Sequence, residues 1–242
     1  MRLLYILLLL AFSSNSLAEE KSGKLKIKKL QQGIYLHTSY QKVEGWGLVG
    51  ANGLVVLDKD QAYIIDTPWT DADSEKLVNW LQDQGYTIAG VIATHHHDDT
   101  AGGIDYFNSI GVNTYASSLT NKLLKDKGKS AAKLGFTEEV FTILADKIEA
   151  YYPGAGHAQD NIVIWLAESQ TLFGGCFVKS LSSKSLGYLG NASVERWAQS
   201  IDKVLAKYPE IKVTVPGHGR HGTKELLAHT RHLVKQKIAK AE

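Results

Sequence analysis

The chain has 242 residues, with 27 lysines and arginines, 25 aspartates and glutamates, and 44% hydrophobic residues. This length allows one large or two small domains with a substantial buried core. The near-neutral charge, without a long basic stripe, argues against nucleic acid as the main partner. The most basic run, KSGKLKIKK at 21–29, is typical of a solvated strand or arm.

The first residues, MRLLYILLLLAFSSNSLAEE, have the parts of a secretory signal peptide. Arg2 gives a positive start, a short apolar stretch follows, and small residues precede a cleavage point after Ala18. The apolar run is too short for a permanent membrane anchor. We therefore expect residues 1–18 to be removed and residues 19–242 to form a single exported domain in the periplasm.

The first half of the mature chain is rich in predicted strands. Runs of β-branched and aromatic residues occupy 33–40, 53–58 and 62–68. The pair Asn52-Gly53 predicts a turn between two of them. From Thr70 the apolar residues take helical spacing, which Gly85 ends. The next predicted elements are a strand (87–94), a short helix (101–111), a strand (112–117) and a helix (118–128).

The second half repeats this plan. Its predicted elements are strands at 141–154, 161–169 and 171–178, a helix at 193–207, a strand at 211–217 and a closing helix from about Thr223. Strands followed by helices, twice over, predict an α/β fold. We expect two similar halves packed sheet to sheet, with the helices outside.

The segment HHHDD at 95–99 follows the strand predicted at 87–94. If the chain continues in an extended conformation, side chains two apart share a face. His95, His97 and Asp99 would then point one way, and the two residues between them the other way. This spacing groups three metal-binding side chains on one side of the chain.

Three other predicted strands end in a metal-competent residue flanked by glycine, which lets the backbone turn sharply. They are GAGH with His157, FGGC with Cys176 and VPGHG with His218. Together with the HHHDD residues they supply six nitrogen, sulfur and oxygen donors, which suit zinc and suffice for two ions.

Cys176 is the single cysteine, so it cannot form an internal disulfide. It is either buried and inert or, as its motif indicates, a metal ligand. The remaining histidines lack such a setting and are predicted to be surface or structural residues: His37, His96, His221, His229 and His232.

In this order and spacing, HHHDD, GAGH, FGGC and VPGHG resemble the metallo-β-lactamase superfamily, specifically the subclass B1 zinc β-lactamases. GIYLHTSY, GLVVLD and TYASSLTNKLL are similar to the imipenem-hydrolysing branch, and the resemblance covers nearly all the mature chain. Thioester hydrolases of the glyoxalase II kind carry the motif H-x-H-x-D-H, with a further histidine directly after the aspartate. Here Thr100 follows Asp99 instead.

The resemblance implies a four-layer αβ/βα sandwich with the metals in a groove at one edge of the two sheets. It implies one zinc held by His95, His97 and His157. The second zinc would be held by Asp99, Cys176 and His218. A zinc-bound hydroxide would attack the lactam carbonyl, with Asp99 orienting the water.

The resemblance also implies substrate-binding residues. Lys179 matches a lysine that binds the substrate carboxylate. Trp46 matches the tip of a mobile hairpin, and Trp69 an aromatic residue of the groove wall. Tyr188 stands where the family usually has asparagine, and Asn191 where it commonly has aspartate. Tyr188 is expected to change substrate preference or KM while zinc binding stays intact.

The expected function is therefore zinc-dependent hydrolysis of penicillins, cephalosporins and carbapenems, conferring antibiotic resistance. A thioester or phosphodiester hydrolase on the same fold and a non-catalytic periplasmic zinc-binding protein are the alternatives. We expect a monomer with a small-molecule substrate, and neither nucleic acid nor a membrane anchor as a partner. The sequence does not rank the β-lactam classes or give the occupancy of the second zinc site.

Overall fold

Two β-sheets organise the chain in the computed structural model, which describes residues 24–240. The predicted signal peptide at 1–18 lies outside the described residues. Among residues 24–240, no helix has both the length and the apolar character needed to cross a bilayer.

The first sheet has seven strands in sequence order. The first four pair antiparallel and the last three continue in parallel. Its strands are β1 (Lys26–Gln31), β2 (Ile34–Val43), β3 (Gly47–Asp58), β4 (Gln61–Ile65), β5 (Thr87–Ile92), β6 (Thr114–Ser117) and β7 (Leu134–Phe136). Residues 26–29 of the basic run thus lie in an edge strand, as the composition of the run predicts.

The second sheet has five strands in the order β12-β11-β10-β9-β8, and only β11 and β12 pair in parallel. Its strands are β8 (Val140–Leu144), β9 (Ile148–Tyr151), β10 (Val163–Leu166), β11 (Thr171–Gly175) and β12 (Val213–Pro216). The long strand predicted at 141–154 is therefore a hairpin, because Asp146 adopts a positive φ of 60° and reverses the chain.

In the described part of the chain, six helices connect the strands: α1 (Asp71–Gln82), α2 (Asp98–Ala101), α3 (Ile104–Ser109), α4 (Ser118–Asp126), α5 (Val194–Lys207) and α6 (Glu225–Ala239). Thr70 caps α1, since its hydroxyl accepts a hydrogen bond from the Asp73 amide at 3.2 Å. Ser117 caps α4 in the same way through the Thr120 amide.

Three layers of apolar contacts hold these elements together. Ile34, Leu54 and Ile65 of the first sheet pack against Ile164 and Phe173 of the second, which places a core between the two sheets. Separate clusters join α1 and α3 to the outer face of the first sheet, and α5 and α6 to that of the second. The predicted α/β sandwich with helices outside is confirmed.

The turn predicted at Asn52-Gly53 is wrong, because β3 runs through both residues and the hairpin turns near Trp46 instead. Gly53 pairs with His37 on β2, and a Cβ at Gly53 would overlap the His37 ring. Glycine is therefore needed for close packing within a strand. Asn52 donates from Nδ2 to the carbonyls of Pro216 and Gly219, at 2.9 and 2.8 Å.

The extended conformation predicted for 95–99 is also wrong. β5 ends at Ile92, the three histidines form an irregular bend, and α2 begins at Asp98. The Thr100 hydroxyl donates to the His95 carbonyl at 2.6 Å, which draws the following turn back onto the bend. The side chains of His95, His97 and Asp99 still converge, but through a bend and a helical turn.

Candidate metal centre

The six predicted ligands lie at the ends of strands on one edge of the two sheets. His95, His97 and Asp99 follow β5, and His157 follows β9. Cys176 comes directly after β11, where Gly175 adopts a φ of 51°, and His218 comes two residues after β12. A Cβ at Gly217 would overlap the backbone and sulfur of Cys176, so glycine permits the two loops to meet.

The first triad consists of His95, His97 and His157. One donor atom from each lies within 4.8 Å of the other two, and His95 Nε2 is 2.9 Å from His97 Nδ1. The three rings stand nearly perpendicular, with centroids 4.6 to 5.2 Å apart. Three imidazoles converging on one point form the usual protein contribution to a catalytic zinc site with an open position.

The second triad consists of Asp99, Cys176 and His218. Cys176 Sγ is 3.3 Å from Asp99 Oδ2 and 3.2 Å from His218 Nε2, and His218 Nε2 is 3.0 Å from Asp99 Oδ2. These separations approach the edge of about 3.3 to 3.8 Å that a zinc tetrahedron with these donors requires. Asp99 Oδ1 also lies 3.9 Å from His95 Nε2, so the two triads adjoin.

Two orphaned atoms support a cation at this place. Asp99 Oδ1 and His157 Nδ1 are buried, and neither has a hydrogen-bond partner within the described part of the chain. A buried carboxylate oxygen without a partner is costly unless a cation compensates it. Together with the donor set of imidazole, thiol and carboxylate, this fits zinc, which is the metal that these residues suit best.

Burial keeps the first triad in the form that binds metal. It lowers the pKa of His95 to about 3, with a further contribution from His97. Burial, and then the charge of Lys179, lowers the pKa of His157 well below its ordinary value. Burial also lowers the pKa of His97, against a hydrogen bond to Asn191. All three imidazoles are therefore neutral at pH 7.

The second triad differs, because its carboxyl group is ionised while its thiol and its imidazole retain protons. Burial opposes ionisation of Asp99, but the hydrogen bond from His218 and the nearby imidazoles outweigh it and lower the pKa of the carboxyl. Burial and the Asp99 charge raise the pKa of the Cys176 thiol. Burial lowers the pKa of His218, but the charges of Cys176 and Asp99 raise it more, so the net direction is upward.

Further residues orient the ligands. Asn191 Oδ1 lies 2.9 Å from His97 Nε2, the nitrogen opposite the one that faces His95. His218 Nδ1 donates to the Gly50 carbonyl at 2.8 Å. Such outer contacts fix the tautomer and the ring orientation of a metal-binding histidine. The sequence associated Asn191 with substrate, and its contact with His97 was not predicted.

His96 points away from the triads, as predicted. It is 1% exposed, and Asp160 accepts hydrogen bonds from its backbone amide and its Nδ1, both at 2.9 Å. The Thr120 hydroxyl donates to the same carboxylate at 2.9 Å. Asp160 thereby ties the ligand bend to α4, a role that the sequence gave no signal for.

The triads open into a groove of about 570 Å³, a volume typical of small-molecule sites. The remaining sequence-predicted site residues all line it: Trp46, Trp69, Lys179, Tyr188 and Asn191. Trp46 is 58% exposed at the tip of the β2–β3 hairpin, and Tyr188 is 52% exposed. The Tyr188 ring centroid lies 5.6 Å from that of His97.

Lys179 is the most unusual charge in the groove. Its side chain is almost entirely buried, with Nζ 5.5 Å from the centre of the Trp197 ring. Burial lowers its pKa, while Cys176 and Asp99 oppose that change. Within the described residues, no carboxylate lies close enough to form an ion pair with it. A buried ammonium without a partner, facing a groove, is suited to bind an anion.

The profile of the metallo-beta-lactamase superfamily matches residues 46–218, which include all six predicted ligands. A curated relative from Pseudomonas aeruginosa, named metallo-beta-lactamase type 2, is 46% identical over 95% of this chain and 92% of its own. A relative of the same name from Bacteroides fragilis is 38% identical over 98% of both chains.

Solved structures agree with this assignment. The crystal structure of VMB-1 has a TM-score of 0.88 and 46% identity, covering 89% of this chain and 98% of that one. The structure of the DIM-1 metallo-beta-lactamase exposed to ceftazidime has a TM-score of 0.89 and 45% identity, covering 90% and 100%. The resemblance read from the sequence is confirmed, and the chain belongs to the metallo-beta-lactamase superfamily.

Proposed function

We propose that this protein is a zinc-dependent β-lactamase that hydrolyses penicillins, cephalosporins and carbapenems. The observation that carries the proposal is the groove, in which two adjoining donor triads lie beside the buried, unpaired ammonium of Lys179. The names of the curated relatives support the same reaction. Bicyclic β-lactams carry a carboxylate next to the lactam nitrogen, which matches this pairing of a metal site with a cation.

His95, His97 and His157 would hold one zinc, and Asp99, Cys176 and His218 the second. Bound zinc supplies Lewis acidity, which polarises a carbonyl and lets water act as a nucleophile at neutral pH. The chain supplies three neutral imidazoles on one side, and on the other a carboxylate, a histidine and a thiol that becomes an anionic ligand once it loses its proton. The groups of the protein then position water and substrate around this pair of sites.

Asp99 is the proposed catalytic residue. Its Oδ2 is occupied by Cys176 and His218, while Oδ1 is unpartnered and turned towards His95. Its lowered pKa keeps the carboxylate ionised, so Oδ1 can accept a hydrogen bond from the attacking water. A water bound to Oδ1 would be oriented for attack on a carbonyl lying across the triads.

Lys179 binds the substrate carboxylate, because its buried ammonium then gains a partner that residues 24–240 do not provide. Trp46 and Trp69 cover apolar parts of the substrate from the hairpin tip and the groove wall. The Tyr188 hydroxyl replaces the amide expected in the family as a hydrogen-bond donor near His97. Asn191 lines the same groove, and its amide oxygen orients His97.

The test is hydrolysis of a carbapenem and a chromogenic cephalosporin by purified protein, with zinc, with EDTA and after zinc is restored. We expect activity that chelator removes and zinc returns. Lack of turnover by folded, zinc-loaded protein would overturn the proposal. Turnover of a thioester under the same conditions would instead favour the hydrolase alternative, and zinc binding without any turnover the binding-protein alternative.

We also propose a single domain at 19–242, exported to the periplasm as a monomer after cleavage behind Ala18. The amino-terminal pattern at 1–18 supports export. N-terminal sequencing of protein recovered by osmotic shock should begin at Glu19. Sedimentation of the same material should give the mass of one chain. A retained N-terminus in the cytoplasmic fraction would contradict the proposed location.

A further inference from the structure

The groove carries positive charge that the proposed reaction does not use. Four lysines line it: Lys127, Lys129, Lys179 and Lys184. Lys129 forms an ion pair with Asp98, so its charge is balanced. Lys127 is exposed, and no ion pair with a carboxylate of residues 24–240 involves it. The acidic residue before it, Asp126, is paired with Lys122.

Lys127 and Lys179 reach the groove from different halves of the domain. Lys127 directly follows α4, which packs on the first sheet, whereas Lys179 follows Cys176 at the end of β11 in the second.

A bicyclic β-lactam has two ends that these lysines would meet. The carboxylate common to the class is next to the lactam nitrogen, and under the proposed function it binds Lys179. The acylamino side chain is attached to the carbon on the other side of the carbonyl, so it extends away from that carboxylate. With the carbonyl across the triads and the carboxylate on Lys179, the side chain would extend away from Lys179, towards the part of the groove that Lys127 lines.

We propose that Lys127 forms an anion subsite for the acyl side chain, so that the enzyme favours β-lactams carrying a second carboxylate there. This inference rests on the proposed β-lactamase function. Because Lys127 is exposed, its ion pair with the second carboxylate would be solvated and weak. We expect it to raise kcat/KM for such a substrate by about two- to fivefold at low salt. Added salt screens such a pair and should reduce the preference.

Benzylpenicillin and carbenicillin form a matched pair of probes, since carbenicillin differs only by a carboxylate on the carbon next to the side-chain carbonyl. The quantity to measure is the kcat/KM of carbenicillin divided by that of benzylpenicillin, at low and at high salt. In Lys127→Met we expect this ratio to fall two- to fivefold at low salt and to lose its salt dependence. Lys127→Glu should lower it further.

Two control variants remove the same charge elsewhere. Lys125→Met lies on the last turn of α4 outside the groove lining, and Lys184→Met lies in the groove on the side of Lys179. Both should leave the ratio within the error of the wild-type value. A ratio unchanged in Lys127→Met, or lowered equally in either control, would overturn the subsite while benzylpenicillin turnover still supports the β-lactamase. Failure to hydrolyse either substrate would overturn both proposals.

Discussion

The two donor triads share one groove and adjoin at His95 and Asp99, but they prepare for a metal in opposite ways. The first is made of imidazoles that burial keeps neutral. The second combines a carboxylate with a thiol whose pKa is raised and a histidine that is held protonated. The comparison teaches that the first triad binds zinc almost without proton release, whereas the second must give up protons to do so.

The largest effect in a test of this difference is expected from removing a ligand that belongs to the first triad only. In His157→Ala we expect kcat to fall more than about a hundredfold, beyond the range for outer residues of metal sites. Zinc stoichiometry, measured by elemental analysis, should fall to one per chain. His221→Ala is the matched control, since His221 is exposed and close to the ligand His218. An unchanged zinc content in His157→Ala would contradict the assigned triad.

The corresponding change in the second triad is Cys176→Ser, which replaces a soft donor by a poor zinc ligand of similar shape. We expect activity at low zinc to fall roughly tenfold to a hundredfold, with partial recovery as zinc is added. Titration with zinc should show one tight site unchanged and one weakened. If both sites weakened equally, the separation into two triads would be wrong.

The response to pH sharpens the comparison without a mutation. The raised pKa values of Cys176 and His218 mean that protons occupy the second triad at neutral pH, and zinc must displace them. Its zinc affinity should fall about tenfold per proton released for each pH unit of acidification. The first triad, with the pKa of His95 near 3, should change little from pH 8 to 5.5. Competition with a chromophoric chelator measures the zinc affinity of each triad. If the two affinities changed in parallel with pH, the proposed difference between the triads would be wrong.

The smallest expected effect concerns the substrate side of the first triad. Tyr188→Asn should change KM or the ranking of β-lactam classes by a few-fold, since one exposed hydrogen bond is worth about 1 kcal/mol. Zinc affinity should stay the same in both triads, because the Tyr188 ring meets the His97 ring in an edge-type contact with centroids 5.6 Å apart and supplies no hydrogen bond to it within residues 24–240. Identical kinetics on several lactam classes would remove Tyr188 from the substrate site.

The positions of the proposed ligand residues could be predicted because each lies near a strand end that local sequence marks. Apolar runs and glycines locate His157, Cys176 and His218 without knowledge of the remaining chain. The path between His95 and Asp99 could not be predicted. The bend depends on hydrogen bonds from the Thr100 hydroxyl to the carbonyls of His95 and His97. The spacing of side chains in an extended segment, on which the prediction rested, does not include such contacts.

The contacts that orient the histidines of the HHHDD segment could not be predicted from the sequence for a different reason. Asn191 is 94 residues from His97, and Asp160 is 64 residues from His96. Their pairing depends on how the two halves dock, and no local spacing records it. The same holds for Gly53, where packing against His37 overrides the turn preference of an Asn-Gly pair.

The division of ligands between the halves bears on the order of folding. His95, His97 and Asp99 come from the segment around the first sheet, and the other three ligands from the segment around the second. Each triad draws on both, so neither half alone completes one. Completion of either zinc site therefore requires that the two halves have docked.

Bound zinc then stabilises the interface between the two docked halves. At a free concentration a thousand times its Kd, it stabilises the docked state by about 4 kcal/mol. A host that withholds zinc would stop turnover and also loosen the contact between the halves, exposing the chain to proteolysis.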